Sequence, residues 1–130
     1  MKVVLDTSAY SAFATGDARM VDILVSRARR LFLPAPVIGE LTYGFLKGSR
    51  TALNESKLHD FIARLGVAVI AVDADVARKY GGIYLSLVRK GRKIPLNDVW
   101  VAACCMAVGG TLLTRDRHFA VIEQIEQLIV

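Results

Sequence analysis

Short apolar runs rich in β-branched residues alternate along the chain with stretches of helical period, and this alternation restricts the fold more than any other property of the sequence. Strands buried on both faces read as near-continuous apolar runs, as parallel strands do when helices cover their sheet from above and below. Strands are expected at residues 2–5, 31–33, 67–72 and 111–114, with a weak last one at 127–130. Helices are expected at 8–14, 17–29, from Pro34 and Pro36 to about Lys47, at 51–64, at 73–90, and from Asn97 or Asp98 to Val108. Asp73 suits an N-cap, the prolines suit a helix start, and Gly48, Gly66, Gly91 and the pair Gly109-Gly110 suit helix ends. The order implies an α/β fold. It is a three-layer α/β/α sandwich around a central parallel sheet of about five strands, joined by right-handed crossovers.

A chain of 130 residues fits one domain spanning 1–130. Its composition, 54% hydrophobic with a mean hydropathy of +0.42, supplies more apolar side chains than a core of this size hides, so some are expected to face a partner. Lys and Arg number 17 against 12 acids, and the net charge of +5 favours an anionic partner. Cys104 and Cys105 are adjacent and lack the paired spacing of a zinc site or a disulfide framework. They read as small core residues in a reducing compartment. No signal-peptide apolar region precedes Asp6, and the charge-free run from Val99 to Thr114 is short and broken by glycines. The expectation is a cytoplasmic protein with no membrane partner.

Four acids are distinguished by isolation or by position. Glu40 is the only charged residue between Leu31 and Leu46, and Asp98 the only one between Ile94 and Thr114. Asp6 directly follows the first apolar run, and Asp116 lies two residues past the fourth. In an open α/β sheet, groups just beyond the carboxyl ends of the strands converge in the crevice where ligands bind. Asp98 reaches that edge by another route, because its helix must finish where the parallel fourth strand begins. How residues 73–93 return the chain there is not set by the sequence. Carboxylates gathered in this way repel one another and raise each other's pKa unless a cation neutralises them. With no His or Cys expected beside them, the set favours a hard, oxygen-loving ion, Mg²⁺ first and Mn²⁺ as its substitute. Each acid also has an ordinary reading: Asp6 as a helix cap, Asp98 as a first-turn acid, Asp116 in an ion pair with a flanking arginine, Glu40 facing solvent.

The strings VVLDTSAYSAF, VIGELTYGF, IPLNDVWVAA and LLTRDRHF, in this order and spacing, resemble the motifs of PIN-domain nucleases, in particular the VapC-like toxins of toxin–antitoxin pairs. The resemblance runs from residue 2 to about residue 122. It implies metal-dependent cleavage of RNA phosphodiester bonds by an activated water, leaving 5′-phosphate and 3′-hydroxyl ends. It further implies that Asp6, Glu40, Asp98 and Asp116 are the catalytic, metal-binding acids, that Thr114 is the supporting hydroxyl, and that Thr7 and Ser8 assist. At His118 the chain departs from many relatives, which carry a further acid there.

Arg89, Lys90, Arg92 and Lys93, together with Arg115, suit a basic rim that holds backbone phosphates while the acids manage the ion. Tyr10, Phe13, Phe45 and Leu46 on the early helices suit core packing or an apolar groove for an amphipathic segment of a cognate antitoxin. A homodimer would bury the same surface. Three other functions compete. One is an RNA-processing PIN nuclease without an antitoxin. Another is a haloacid-dehalogenase-like phosphatase, disfavoured because that chemistry wants an aspartate where Ser8 stands. The third is a non-catalytic RNA-binding module.

Overall fold

The computed structural model describes residues 1–130. Its five strands are β1 (Lys2–Leu5), β2 (Arg30–Pro34), β3 (Ala68–Ile70), β4 (Thr111–Thr114) and β5 (Glu126–Ile129). The helices are α1 (Thr7–Ala14), α2 (Ala18–Ser26), α3 (Ala35–Lys47), α4 (Thr51–Arg64), α5 (Ala74–Arg89) and α6 (Leu96–Val108), followed by a 3₁₀ turn at Arg117–Val121. The strands form one sheet in the order β3-β2-β1-β4-β5, and every pairing is parallel. The chain therefore steps outward from β1 to β3, then returns across the sheet to β4 on the other side of β1. The helix pair α5 and α6 makes that return, with the two helices packed on each other and α6 lying against β2 and β4. Right-handed crossovers in these two directions place α1–α4 on one face of the sheet and α5–α6 on the other.

Local chemistry sets the boundaries. Asp73 caps α5, its carboxylate accepting from the Val76 N–H at 2.9 Å, and Gly91 beyond the helix adopts φ +66°. Helix α6 starts earlier than expected. Pro95, with φ −54°, is its N-cap, so neither Asn97 nor Asp98 is the capping residue. Proline is pre-set for a helix entry and needs no N–H there. Asp98 stands inside the first turn, its side chain free for another use. Helix α2 stops at Ser26, short of its trailing arginines, and β3 is only three residues long, paired with Phe32–Pro34. The 3₁₀ turn was not expected, because its span is too short to carry a period.

The core is contiguous. Val3, Val4 and Leu5 of β1 and Leu112 and Leu113 of β4 are fully enclosed, and α6 contributes Val101, Ala102, Ala103, Cys104 and Cys105. Each large side chain so buried contributes about 1.5–3 kcal/mol. The small residues of α6 let that helix lie close to the sheet. Burial pushes the Cys104 thiol up to about 11 and the Cys105 thiol up to about 12. The glycine pair after α6 has two separate jobs. Gly109 takes the left-handed conformation at φ +64°, whereas Gly110 makes room, because a Cβ there would lie 2.8 Å from Val4 Cγ2 and 3.4 Å from the Lys2 carbonyl. No helix is long and apolar enough to cross a membrane.

Two outcomes follow from this packing. Gly110→Ala, which forces a methyl into the buried Val4, is expected to destabilise the protein by about 1–3 kcal/mol in denaturant titration. Neither cysteine should react with a disulfide-forming thiol reagent in the native protein at mildly alkaline pH, and both should react once it is unfolded.

Candidate active site

Asp6 is both a cap and a member of the acid group. It is the N-cap of α1, and its Oδ1 accepts from the Ala9 N–H at 2.8 Å and from Ser8 Oγ at 2.7 Å. Its Oδ2 accepts from Thr114 Oγ1 at 2.5 Å. Thr114 ends the neighbouring strand β4, is fully buried, and also accepts from the Asp116 N–H at 2.9 Å. Ser8 Oγ in turn accepts from the Arg115 N–H at 3.0 Å. Burial raises the pKa of Asp6. The hydrogen bonds from Thr114, Ala9 and Ser8 oppose that shift, and the charge of Asp116 adds to it. A buried carboxylate is thus held in a cradle of donors, with a second acid close enough to be felt.

Asp98 is reached from the other face. Its pKa is also raised, first by burial and further by the charges of Glu40 and Asp116, against the lowering influence of His118. His118 Nε2 lies 2.7 Å from Asp98 Oδ2. Glu40, exposed on α3, accepts from Thr7 Oγ1 at 2.7 Å. Asp6 thus feels Asp116, and Asp98 feels Glu40 and Asp116, so these acids lie within electrostatic reach of one another in pairs.

No three His, Cys, Asp or Glu side chains stand together as a ready ligand shell. Asp6, Glu40 and Asp98 each take a hydrogen-bond donor from the protein. The expectation that no histidine lies beside the acids is corrected, since His118 touches Asp98. Its signal in the sequence is its place two residues after Asp116 in TRDRHF.

The donor chemistry itself fits a hard divalent cation. The set is four carboxylates that repel one another, and no lysine or arginine forms an ion pair with any of them. Arg115 does not neutralise Asp116 but pairs with Asp17 at 2.5 Å, and the Met20 N–H, with Arg115, holds the Asp17 carboxyl below its ordinary range.

The other sequence-designated residues are spread more widely. Arg89, Arg92 and Lys93 are exposed, whereas Lys90 is engaged with Glu123 at 3.0 Å and with the Val121 carbonyl. Arg92 and Lys93 flank a largely apolar cavity of about 450 Å³, lined also by Tyr84, Val88 and Leu96. Tyr10 is buried and Phe13 half-buried, both packed on Phe61 of α4, while Leu46 is 67% exposed. Tyr10, Phe13 and Phe61 floor a cleft between α1 and α4 that is edged by Lys57, Asp60 and Arg64.

Comparisons with known proteins agree on one family. A PIN domain family model matches residues 3–124. Ribonuclease VapC2 of Rickettsia felis is 31% identical over 93 residues, covering 72% of this chain and 68% of its own. Ribonuclease VapC5 of Mycobacterium tuberculosis is 28% identical over 120 residues, covering 92% and 87%. Among solved structures, that of VapBC2 from Rickettsia felis bound to a promoter DNA fragment superposes with a TM-score of 0.87 at 26% identity, covering 99% of this chain and 98% of that one.

The raised pKa of Asp98 has a stability consequence. Below the ordinary carboxylate range the group is protonated whether folded or unfolded. As pH rises through its raised folded value, the buried charge costs stability. Asp98→Asn is therefore expected to melt higher than the parent at neutral pH in divalent-free buffer, with the difference vanishing in acid. Calorimetry at the two pH values checks this.

Proposed function

The chain belongs to the PIN domain family, and from that premise we propose that it is a divalent-metal-dependent endoribonuclease of the VapC type, the toxin of a toxin–antitoxin pair, acting as one nuclease domain over residues 1–130. The observation that supports this reading is electrostatic: Asp6, just beyond β1, and Asp98, in the first turn of α6, each feel the charge of Asp116, and Asp98 also feels that of Glu40. Asp6, Asp98 and Asp116, with Glu40, would hold the ion, which we take to be Mg²⁺ with Mn²⁺ as substitute. When bound, such an ion lowers the pKa of water and offsets the charge that develops on a phosphate in an in-line displacement.

The chain's own residues supply the rest. Thr114 and Ser8 fix both oxygens of Asp6, and with them its orientation. Glu40, exposed and held through Thr7, orients the attacking water and receives its proton. The exposed cations Arg89, Arg92 and Lys93 meet the phosphate backbone of the RNA. Lys90 and Arg115 contribute there once released from Glu123 and Asp17.

The partners follow from the same family. The Rickettsia felis neighbour is VapBC2, and a cognate antitoxin of this chain would lay an amphipathic segment in the cleft between α1 and α4. A homodimer would cover further exposed apolar side chains, among them Tyr84, Leu85 and Val88. We place the protein in the cytoplasm, with its RNA.

The test is cleavage of a mixed RNA pool by the purified chain in Mg²⁺. Cleavage is expected to stop with EDTA and return with added Mg²⁺ or Mn²⁺, and Asp98→Asn should lower the rate by at least about a hundredfold. Parent-rate cleavage by that variant would remove the site from consideration.

A further inference from the structure

We propose that His118 is a positioning residue for Asp98: its imidazole fixes that carboxylate and thereby sets how tightly the acid edge takes a divalent cation. The inference rests on the nuclease reading of the acid edge and goes beyond it, since His118 is not one of the expected acids.

The contact is direct and shielded. His118 Nε2 stands 2.7 Å from Asp98 Oδ2, with the Asp98 side chain only 15% exposed and that of His118 38%. It is the only side-chain hydrogen bond that Asp98 makes, whereas Asp6 has Thr114 and Ser8 besides its backbone donor. Without the imidazole, the Asp98 carboxylate has no fixed partner against rotation about its own side chain. Ordering a carboxylate before an ion arrives removes a cost that ion binding otherwise bears.

The ring is itself anchored. It stacks on Phe119 at 5.0 Å between centroids and 28° between planes, and Phe119 is fully buried. Gln127 of β5 donates to the Phe119 carbonyl at 2.6 Å and to the Ile122 carbonyl at 3.0 Å, tying the 3₁₀ turn to the sheet. An anchored ring transmits its position to whatever it bonds. A loosely held one would follow the carboxylate instead.

One short segment then links both halves of the site. Thr114 bonds Asp6 at the end of β1, Asp116 follows with its N–H on Thr114, and His118 bonds Asp98 in the first turn of α6. Thr114 and His118, four residues apart in this segment, thus hold acids that stand on elements from opposite faces of the sheet. His118 is also the only basic side chain in contact with the four acids, since Arg115 turns to Asp17. A carboxylate at position 118 would add repulsion to Asp98, whereas the imidazole donates to it. Groups that hydrogen-bond a metal-ligating side chain orient it, and losing one costs about 10–100-fold in metal affinity.

The experiment is a Mn²⁺ titration of the full chain, followed by the spin signal of free Mn²⁺, for the parent, His118→Ala, His118→Gln, His118→Asn and Asp98→Asn. His118→Ala is expected to weaken Mn²⁺ binding by about 10–100-fold. His118→Gln, whose amide nitrogen reaches the position of Nε2, should recover most of it, and the shorter His118→Asn should not. Circular dichroism confirms that each variant is folded. Parent-like or tighter binding by His118→Ala overturns the inference, as does an equal loss in the Gln and Ala variants, which would assign the effect to ring packing. If Asp98→Asn binds Mn²⁺ like the parent, the reading of Asp98 as an ion ligand fails and the inference falls with it. If Asp98→Asn loses binding while His118→Ala keeps it, the inference alone fails.

Discussion

The hydrogen bond from Thr114 to Asp6 joins residues 108 positions apart, and the rest of the site is arranged around it. It exists because β1 and β4 are neighbours in the sheet, with Leu5 opposite Leu113. That pairing places the first residue beyond one strand against the last residue of the other. Strand order reverses between these two strands, which is where open α/β sheets leave a crevice. The apolar strands provide the rigidity, and their polar ends inherit it. Asp6 can therefore be buried and ionisable at once, held by donors that a flexible loop would not keep in place.

Asp98 is supported differently. It has no cap role, because Pro95 opens α6, and its burial is opposed by an imidazole and not by a backbone donor. The two best-buried acids thus stand on elements from opposite faces of the sheet, and each has its own local means of tolerating charge. Mutual repulsion, felt through Asp116, is what a divalent ion would relieve.

Much of this was legible in the sequence, for reasons that differ by residue. Asp6 and Asp116 were placed by the apolar runs before them, since a strand buried on both faces has little choice of composition. Glu40 and Asp98 were placed by isolation in uncharged stretches. The helix starts were less legible: Asn97 and Asp98 look like caps by residue type, yet the proline before them takes the position by backbone geometry. The crossover from β3 to β4 was invisible, because helix packing between α5 and α6 depends on three-dimensional fit and leaves no period of its own. Pairings such as Arg115 with Asp17 and Lys90 with Glu123 join distant segments and were likewise unreadable. His118 was seen only as a departure from relatives. Its contact with Asp98 arises from a 3₁₀ turn too short to carry a pattern.

The return crossover has a consequence for synthesis. A ribosome releases β1, β2 and β3 with their helices first, and this neighbouring set pairs through contacts that are local on the scale of the whole chain. Asp98 and Asp116 emerge later, and β4 must then insert beside β1 across nearly the full length of the polypeptide, the kind of distant pairing that forms slowly. A nascent chain that stops short of α6 therefore carries Asp6 and Glu40 without Asp98 and Asp116, and the repulsion these later acids bring to the edge arises only after they are added.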